Sequence, residues 1–477
     1  MNERKISCDC LIIGAGSAGI SAYQAAKEQG VHCILVESGP LGTTAQRSGD
    51  VPSCLLFAAG KVAHSTVNAE KFGLKVLSEF KFDNSNVLNA LRAVRAQSTT
   101  EVLSFLYKIP DDERIIGKAS FINDHQVHVG ESLIIEFKSA VIATGSSPVI
   151  PYEIGKLGGI LTTNDLFEID NFKKRIAVFG TSAVGIYLGQ ALAYLGLDVT
   201  AFCDNTFWCL TDETVISKAH DALRNNFKLS VNSRITAIEK YDDKYGIYYL
   251  NEADYENFII VDEIIAAGNR YPKIEGLKLR DIGININPQG YIDVDEKTLQ
   301  TSIPHIFAAG DVIRPDMSTN LAKKTGIVAG KNAAMMPDKC QLEDDVRLNI
   351  LYTDPAVAIV GMWLNEMKER AGLGFQFVVG ESHTDKGRYR CERSASGIIR
   401  IYCDLNNHCV LGAEMCAVGC EHIAHFLALA IKKKMTADEL SEFTFYHLSY
   451  EEALKEAAKS ALKVIQQRKG NRYYGHS

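Results

Sequence analysis

The chain reads as an α/β protein with two dinucleotide-type βαβ units and a C-terminal α+β domain. Three observations carry this reading. Cys10-Leu11-Ile12-Ile13 is an apolar run that feeds a glycine turn, Gly14-Ala15-Gly16-Ser17-Ala18-Gly19, and then a helix-forming stretch. A second unit of the same form starts at Arg175. From about Leu348 the texture changes to strands and turns, followed by helical segments. At 477 residues the chain is too long for one core, so roughly two to four domains follow.

Taken in order, Cys10 to Ile13 is a buried strand, Ile20 to Gln29 a helix stopped by Gly30, and Val31 to Glu37 the next strand. Ile134 to Ala143 is a strand leading into Ala143-Thr144-Gly145, and Ser147-Pro148-Val149-Ile150-Pro151 reads as a crossing linker. In the second unit, Ile176 to Phe179 is a strand and Gly180 to Gly185 a turn. Ile186 to Leu195 is the following helix and Leu197 to Phe202 a strand. Ile306-Phe307-Ala308-Ala309-Gly310-Asp311 is a buried strand ending at Gly-Asp. Helices are read over Glu421 to Lys434 and from about Glu451 to Lys469. Solenoid repeats and low-complexity segments are absent.

The composition is that of an ordinary globular protein, 46% hydrophobic and 23% charged. A net charge of −7 without a basic block gives no pull toward nucleic acid. The opening apolar run turns straight into a glycine loop, which is not the form of a signal peptide. No apolar stretch is long enough to span a bilayer. A cytoplasmic location follows by default, with the twelve cysteines mostly reduced and buried. There is no Cys-x-x-Cys pair.

Gly14-x-Gly16-x-x-Gly19 follows a strand and opens a helix, and Glu37 stands about 20 residues on. Such glycines let the backbone approach a pyrophosphate at a helix N-terminus, and the acid suits a ribose hydroxyl. In the second loop, Gly180-Thr181-Ser182-Ala183-Val184-Gly185-Ile186-Tyr187, Ser182 holds the place of the glycine that gives the pyrophosphate its close approach. The acid due at the end of the next strand falls on Cys203, with Asp204 adjacent and no arginine to meet a 2′-phosphate.

Residues 41–54 read Leu-Gly-Thr-Thr-Ala-Gln-Arg-Ser-Gly-Asp-Val-Pro-Ser-Cys. Without a gap this resembles the L-G-G-T-C-x-x-x-G-C-x-P-S-K motif of the dihydrolipoamide dehydrogenase and glutathione reductase family. It matches at Leu41, Gly42, Thr44, Gly49, Pro52 and Ser53. The motif's two cysteines fall on Ala45 and Asp50. Further landmarks occur in the family's order: Ala143-Thr144-Gly145, Gly268-Asn269-Arg270-Tyr271-Pro272, Ala308-Ala309-Gly310-Asp311 and Tyr352-Thr353-Asp354-Pro355. The resemblance covers nearly the whole chain and implies a glutathione reductase-like fold. Its segments would be 1–150, an FAD-binding domain's first part; 151–275, an NAD(P)-binding-type domain; 276–346, the FAD domain's second part; and 347–477, an interface domain of a homodimer. It implies FAD at Gly14, Gly16, Ser17, Ala18, Gly19, Glu37, Thr44, Ala119, Thr144, Gly145, Asp311 and Ala322. It implies an NAD site, altered here, at Gly180, Ser182, Gly185, Tyr187, Cys203 and Gly268, with NADH favoured over NADPH.

A dithiol relay needs one thiol to attack and one to be attacked, and alanine and aspartate do neither. In the family the lysine of P-S-K pairs with a glutamate of the second glycine motif near the flavin. Here those positions are Cys54 and Tyr187. Losing one member of a buried ion pair strands a charge at about 3–5 kcal/mol, and losing both avoids that cost. Cys54 lies four residues after Asp50, on the same face if the stretch is helical. One thiol can cycle through sulfenic acid, but an acidic neighbour works against a reactive thiolate, and a small neutral filler is the favoured reading.

His447-Leu448-Ser449-Tyr450-Glu451-Glu452 sits where the family has H-P-T-x-x-E, the histidine being its acid–base and the glutamate its orienting partner. His447 either protonates another substrate or packs the interface. Cys416, Cys420, His422 and His425 are read as an ordinary interface helix rather than a metal cluster, and no metal is expected. The whole is consistent with an FAD oxidoreductase that passes electrons from NAD(P)H to a small non-disulfide acceptor such as a quinone. The alternative is a non-catalytic flavoprotein acting through its surface or dimer interface. Lipoamide turnover is disfavoured.

Overall fold

The computed structural model describes residues 4–75, 83–180, 182–203, 207–315, 318–394 and 396–474. Thr181 and Asp204, two positions of the second unit's reading, lie outside them. The chain divides into two compact units, one made of residues 1–58, 83–172 and 266–343 and the other of 59–82, 173–265 and 344–477.

The first unit opens with β1 (Arg4–Ile13), α1 (Ser17–Lys27) and β2 (Cys33–Glu37). The last four residues of β1 are buried, as a central parallel strand requires. Two long helices follow, α2 (Asp50–Val67), whose residues from Ala59 onward belong to the second unit, and α3 (Asn84–Leu106). The sequence reading assigns no element to α3, which buries only Leu88, Leu91 and Leu106 and so shows little apolar period. Next come β3 (Arg114–Ile116), β4 (Ala119–Asn123), β5 (Gln126–Val129), β6 (Leu133–Ile142) and β7 (Ser146–Pro148). The sheet runs β3-β2-β1-β6 in parallel, and the β4–β5 hairpin adds to β6 antiparallel.

The second unit starts β8 (Arg175–Phe179), α4 (Ala183–Tyr194), β9 (Asp198–Cys203), α5 (Glu213–Arg224) and β10 (Lys228–Val231), with β8, β9 and β10 in parallel. A three-stranded antiparallel sheet, β11 (Arg234–Tyr241), β12 (Lys244–Leu250) and β13 (Glu256–Val261), precedes β14 (Glu263–Ala266). The chain then returns to the first unit through β15 (Arg270–Pro272), β16 (Ile306–Ala308) and α6 (Thr319–Met335). β16 joins β6 in parallel. The segment read as a crossing linker in fact contains β7, which pairs antiparallel with β15, because the residue before a proline is pushed into extended backbone.

The last stretch is an antiparallel sheet in the order β17 (Leu348–Leu351), β18 (Ala356–Gly361), β21 (Val410–Ala417), β20 (Ile398–Asp404) and β19 (Phe377–His383). Helix α7 (Leu364–Gly372) lies between β18 and β19 in sequence, and α8 (Cys420–Lys432) and α9 (Glu452–Tyr474) follow the sheet. Glu414 on β21 is fully buried. Its carboxylate accepts from the backbone N–H groups of Thr211 (2.7 Å), Asp212 (2.9 Å) and Leu364 (3.1 Å), and from the Thr211 hydroxyl (2.6 Å). This satisfies a charge that burial alone would penalise.

Both glycine-loop helices begin three residues earlier than the sequence pattern places them, at Ser17 and Ala183 rather than Ile20 and Ile186. The sequence pattern runs the turn through to its last glycine, whereas the helices open inside it, with Ala18 and Gly19 of α1 and Gly185 of α4 already buried in the first turn.

Candidate functional site

At the tip of β1 the chain turns through Gly14 (φ +108°) into α1. A Cβ on Gly14 would fall 2.3 Å from the Ala143 carbonyl oxygen, and one on Gly19 would fall 1.7 Å from that of Gly14. Both positions are held to glycine by packing. A Cβ on Gly16 would meet nothing within 4 Å. The space in front of Gly16 and the free N–H groups of the first turn of α1 form a cradle of the kind a pyrophosphate enters. Glu37, at the tip of β2, turns its carboxylate onto this loop and accepts from the N–H groups of Ala15 (2.6 Å) and Gly39 (2.9 Å). Ser17 and Ala18 stand in the first turn of α1.

The strand-end segments converge on the same side of the sheet. Ala143 N–H donates to the Ile13 carbonyl, and Gly117 N–H to that of Glu37, just before Ala119 opens β4. Among the described residues the buried Thr144 hydroxyl has no partner, an orphan that a ligand would satisfy. Gly145 (φ +70°) follows. Asp311 accepts from the Ser146 hydroxyl at 2.7 Å, and that oxygen also accepts from Arg270 Nε at 2.9 Å. Burial lowers the proton affinity of Arg270, opposed by the charge of Asp311. Ala322 is buried in the first turn of α6. These features fit an FAD molecule.

The redox-motif segment is a short helix, Thr44–Arg47, capped by Thr43, followed by α2 starting at Asp50. Ala45 stands in the short helix. Asp50 opens α2, where a carboxylate suits the helix dipole, and accepts from the Thr319 hydroxyl at 2.9 Å. Cys54 is one turn on and exposed. The segment is braced by Arg95, which donates to the Arg47 carbonyl and pairs with Glu168, and by the Ser48–Asn164 bond. None of the twelve cysteines is joined in a disulfide.

In the second glycine loop Gly180 has φ +120°. The Ser182 hydroxyl caps α4 by accepting from the Gly185 N–H at 3.2 Å. One of the first-turn N–H donors of α4 is thus already engaged. Tyr187 is half-buried on α4. Cys203 is buried at the end of β9, its thiol donating to the Ser230 carbonyl at 3.7 Å, a neutral thiol where an acid was due. Gly268 belongs to the first unit's return segment.

His447 and Glu452 meet as their spacing predicts. His447 Nδ1 lies 3.1 Å from Glu452 Oε1, and the Leu448 N–H donates to Oε2 at 3.0 Å. The hydrogen bond from His447 holds the Glu452 carboxyl below the usual range, with the Leu448 N–H adding to it. Cys416 and Cys420 are buried apart from the exposed His422. Burial pushes the Cys416 thiol up to about 12, and Cys420 donates to the Ala356 carbonyl at 3.1 Å. The sequence reading missed one cluster, Asp124, His125 and His305, brought together in the first unit by the β4–β5 hairpin and the approach to β16. The single signal for it is a histidine in a tight hairpin, which is too common to count.

Among the described residues, no helix is long and apolar enough to cross a membrane. Residues 8–334 match the family model of pyridine nucleotide-disulphide oxidoreductases, and residues 348–458 match that family's dimerisation domain. The chain is 28% identical to dihydrolipoyl dehydrogenase of Haloferax volcanii over 473 residues, covering 95% of this chain and 96% of the relative. It is 27% identical to mercuric reductase of Staphylococcus aureus over 463 residues, covering 94% and 82%. Among solved structures, the Cu(II) complex of the HOCl-induced flavoprotein disulfide reductase RclA from Escherichia coli matches with a TM-score of 0.81 at 20% identity. That match covers 95% of this chain and 99% of the other. With FAD and pyridine nucleotide as the cofactors of the family, the chain belongs to the pyridine nucleotide-disulphide oxidoreductases.

Proposed function

We propose that the protein is an FAD-dependent NAD(P)H oxidoreductase that works without a disulfide relay. The observation carrying this is the contrast between the two halves of the chemistry. The cradle from Gly14 to Gly19, with Glu37, Thr144 and Asp311, is built to the family's pattern. The positions of the redox cysteines carry Ala45 and Asp50. FAD, when bound, would supply hydride acceptance and electron return there, and this cradle would hold and orient it. The residues proposed to hold it are Gly14, Gly16, Ser17, Ala18, Gly19, Glu37, Thr44, Ala119, Thr144, Gly145, Asp311 and Ala322. NADH is the favoured donor, since no arginine follows β9 to receive a 2′-phosphate.

The acceptor class is a small quinone-like molecule. Its two-electron reduction by NADH consumes one proton and yields NAD+ and the hydroquinone. His447, oriented by Glu452, supplies that proton in a homodimer. Ala45 and Asp50, at the places of the motif's cysteines, support a departure from the dihydrolipoyl and mercuric chemistry for which the relatives are named.

A second reading, a flavoprotein without turnover, is favoured by Ser182 and Cys203, whose polar atoms are turned to internal partners. Anaerobic titration of the yellow protein with NADH and then NADPH separates the two. Bleaching of the flavin with a clear endpoint supports the oxidoreductase. An unchanged spectrum that dithionite still bleaches overturns it in favour of the second reading.

A further inference from the structure

Asp124, His125 and His305 each place one donor atom within 4.8 Å of the other two. The backbone fixes all three. Asp124 and His125 form the turn between β4 and β5. The His125 carbonyl accepts from the Phe137 N–H of β6 at 3.0 Å, and the His305 carbonyl accepts from the Ala140 N–H of the same strand, also at 3.0 Å.

The side chains are also prepared. His125 Nδ1 faces the Phe137 carbonyl at 3.0 Å, and His305 Nε2 faces the Asp124 backbone carbonyl at 2.8 Å. A ring nitrogen facing a carbonyl must be the one that carries hydrogen, so the other nitrogen of each neutral ring keeps its lone pair. A carbonyl that fixes the tautomer is the usual outer support of a metal-ligating histidine. The His305 side chain is only 14% exposed, while that of Asp124 is 50% exposed. A cleft of about 660 Å³ opens on the His125 side of the cluster.

We propose that these three residues bind a divalent transition-metal ion of the zinc type. Two imidazole nitrogens and one carboxylate oxygen suit such an ion, with water completing the coordination. The two rings stack at 4.1 Å with an interplanar angle of 1°, a parallel arrangement that an ion held by both rings has to open. Seating an ion about 2.1 Å from each donor draws the donors to about 3.4 Å and tilts the rings out of the stack. The ion then pins the β4–β5 hairpin to the segment entering β16, which lies 181 residues further along the chain.

The test is zinc chloride added to the flavin-loaded protein under reducing conditions, read by calorimetry and by metal analysis after dialysis. About one zinc per chain is expected, with a rise in melting temperature. His305→Ala and His125→Ala should each weaken binding about tenfold or more and abolish that rise. His422→Ala/His425→Ala should leave both unchanged. Circular dichroism before zinc addition establishes that each variant is folded, and His125→Gln stands in for one that is not. Anomalous scattering at the zinc edge should place the ion at His305. Absence of stoichiometric zinc, equal binding by folded variants, or an ion found on cysteine sulfur instead would overturn the proposal.

Discussion

Glu452 holds His447 and its neighbour with one carboxylate, Oε1 lying 3.1 Å from His447 Nδ1 and Oε2 accepting the Leu448 N–H at 3.0 Å. The second bond exists because Leu448 is not proline and adopts φ +61°. The resembling motif has proline at this position, which has no N–H and a φ fixed near −65°.

Restoring the family residue should therefore damage the loop. Leu448→Pro is expected to lose about 2 kcal/mol, and Leu448→Gly to gain about 1 kcal/mol by relieving the left-handed backbone. Urea denaturation of the two variants checks both signs.

The glycine cradle separates fold from ligand. Gly16→Ala should fold normally, since its Cβ meets open space, yet should weaken flavin retention about tenfold, roughly 1.4 kcal/mol. Gly19→Ala should fail at the fold, because its Cβ overlaps the Gly14 carbonyl. The ratio of flavin to protein absorbance, with thermal melts, distinguishes the two.

Cys54 is exposed and is the one thiol of its segment. If it fills the place of a lost lysine, Cys54→Ala leaves the rate of flavin reduction by NADH and the acceptor turnover within about twofold. A loss of about a hundredfold, roughly 2.7 kcal/mol, would assign it a redox step. Stopped-flow absorbance reads both.

Acid should loosen the second unit. Hydrogen bonds from Arg175 hold Asp262 below its usual range. A carboxylate with a depressed folded value contributes stability above its unfolded value, about 4, and that contribution is lost as pH falls through the folded one. Denaturation midpoints should fall below about pH 4, and Asp262→Asn should flatten that dependence.

Glu414 should be far more sensitive than a surface acid. Glu414→Gln leaves buried N–H donors facing an amide that offers one oxygen in place of two. A loss of about 3 kcal/mol is expected, read from urea midpoints.

The sequence made the glycine loops, Glu37 and the His447–Glu452 spacing legible because each depends on near neighbours in the chain. The pairing of β7 with β15 was not legible, since a short strand beside prolines has no period of its own. Ser182 was readable as a lost glycine, but its use as a cap on Gly185 depends on a rotamer. Asp124, His125 and His305 were invisible because strand β6, rather than sequence proximity, brings them together.

Helices α1 and α6 meet backbone to backbone. A Cβ on Gly326 would fall 2.1 Å from the Ala18 carbonyl oxygen, and one on Gly330 would fall 2.2 Å from that of Ala22. Such a dovetail has no rotamers to readjust, so an added methyl group cannot be absorbed locally. It must displace one helix bodily, carrying with it either the Gly16 turn or the Gly310–Asp311 corner. Two stretches of chain far apart in sequence therefore move, or fail, as a single part.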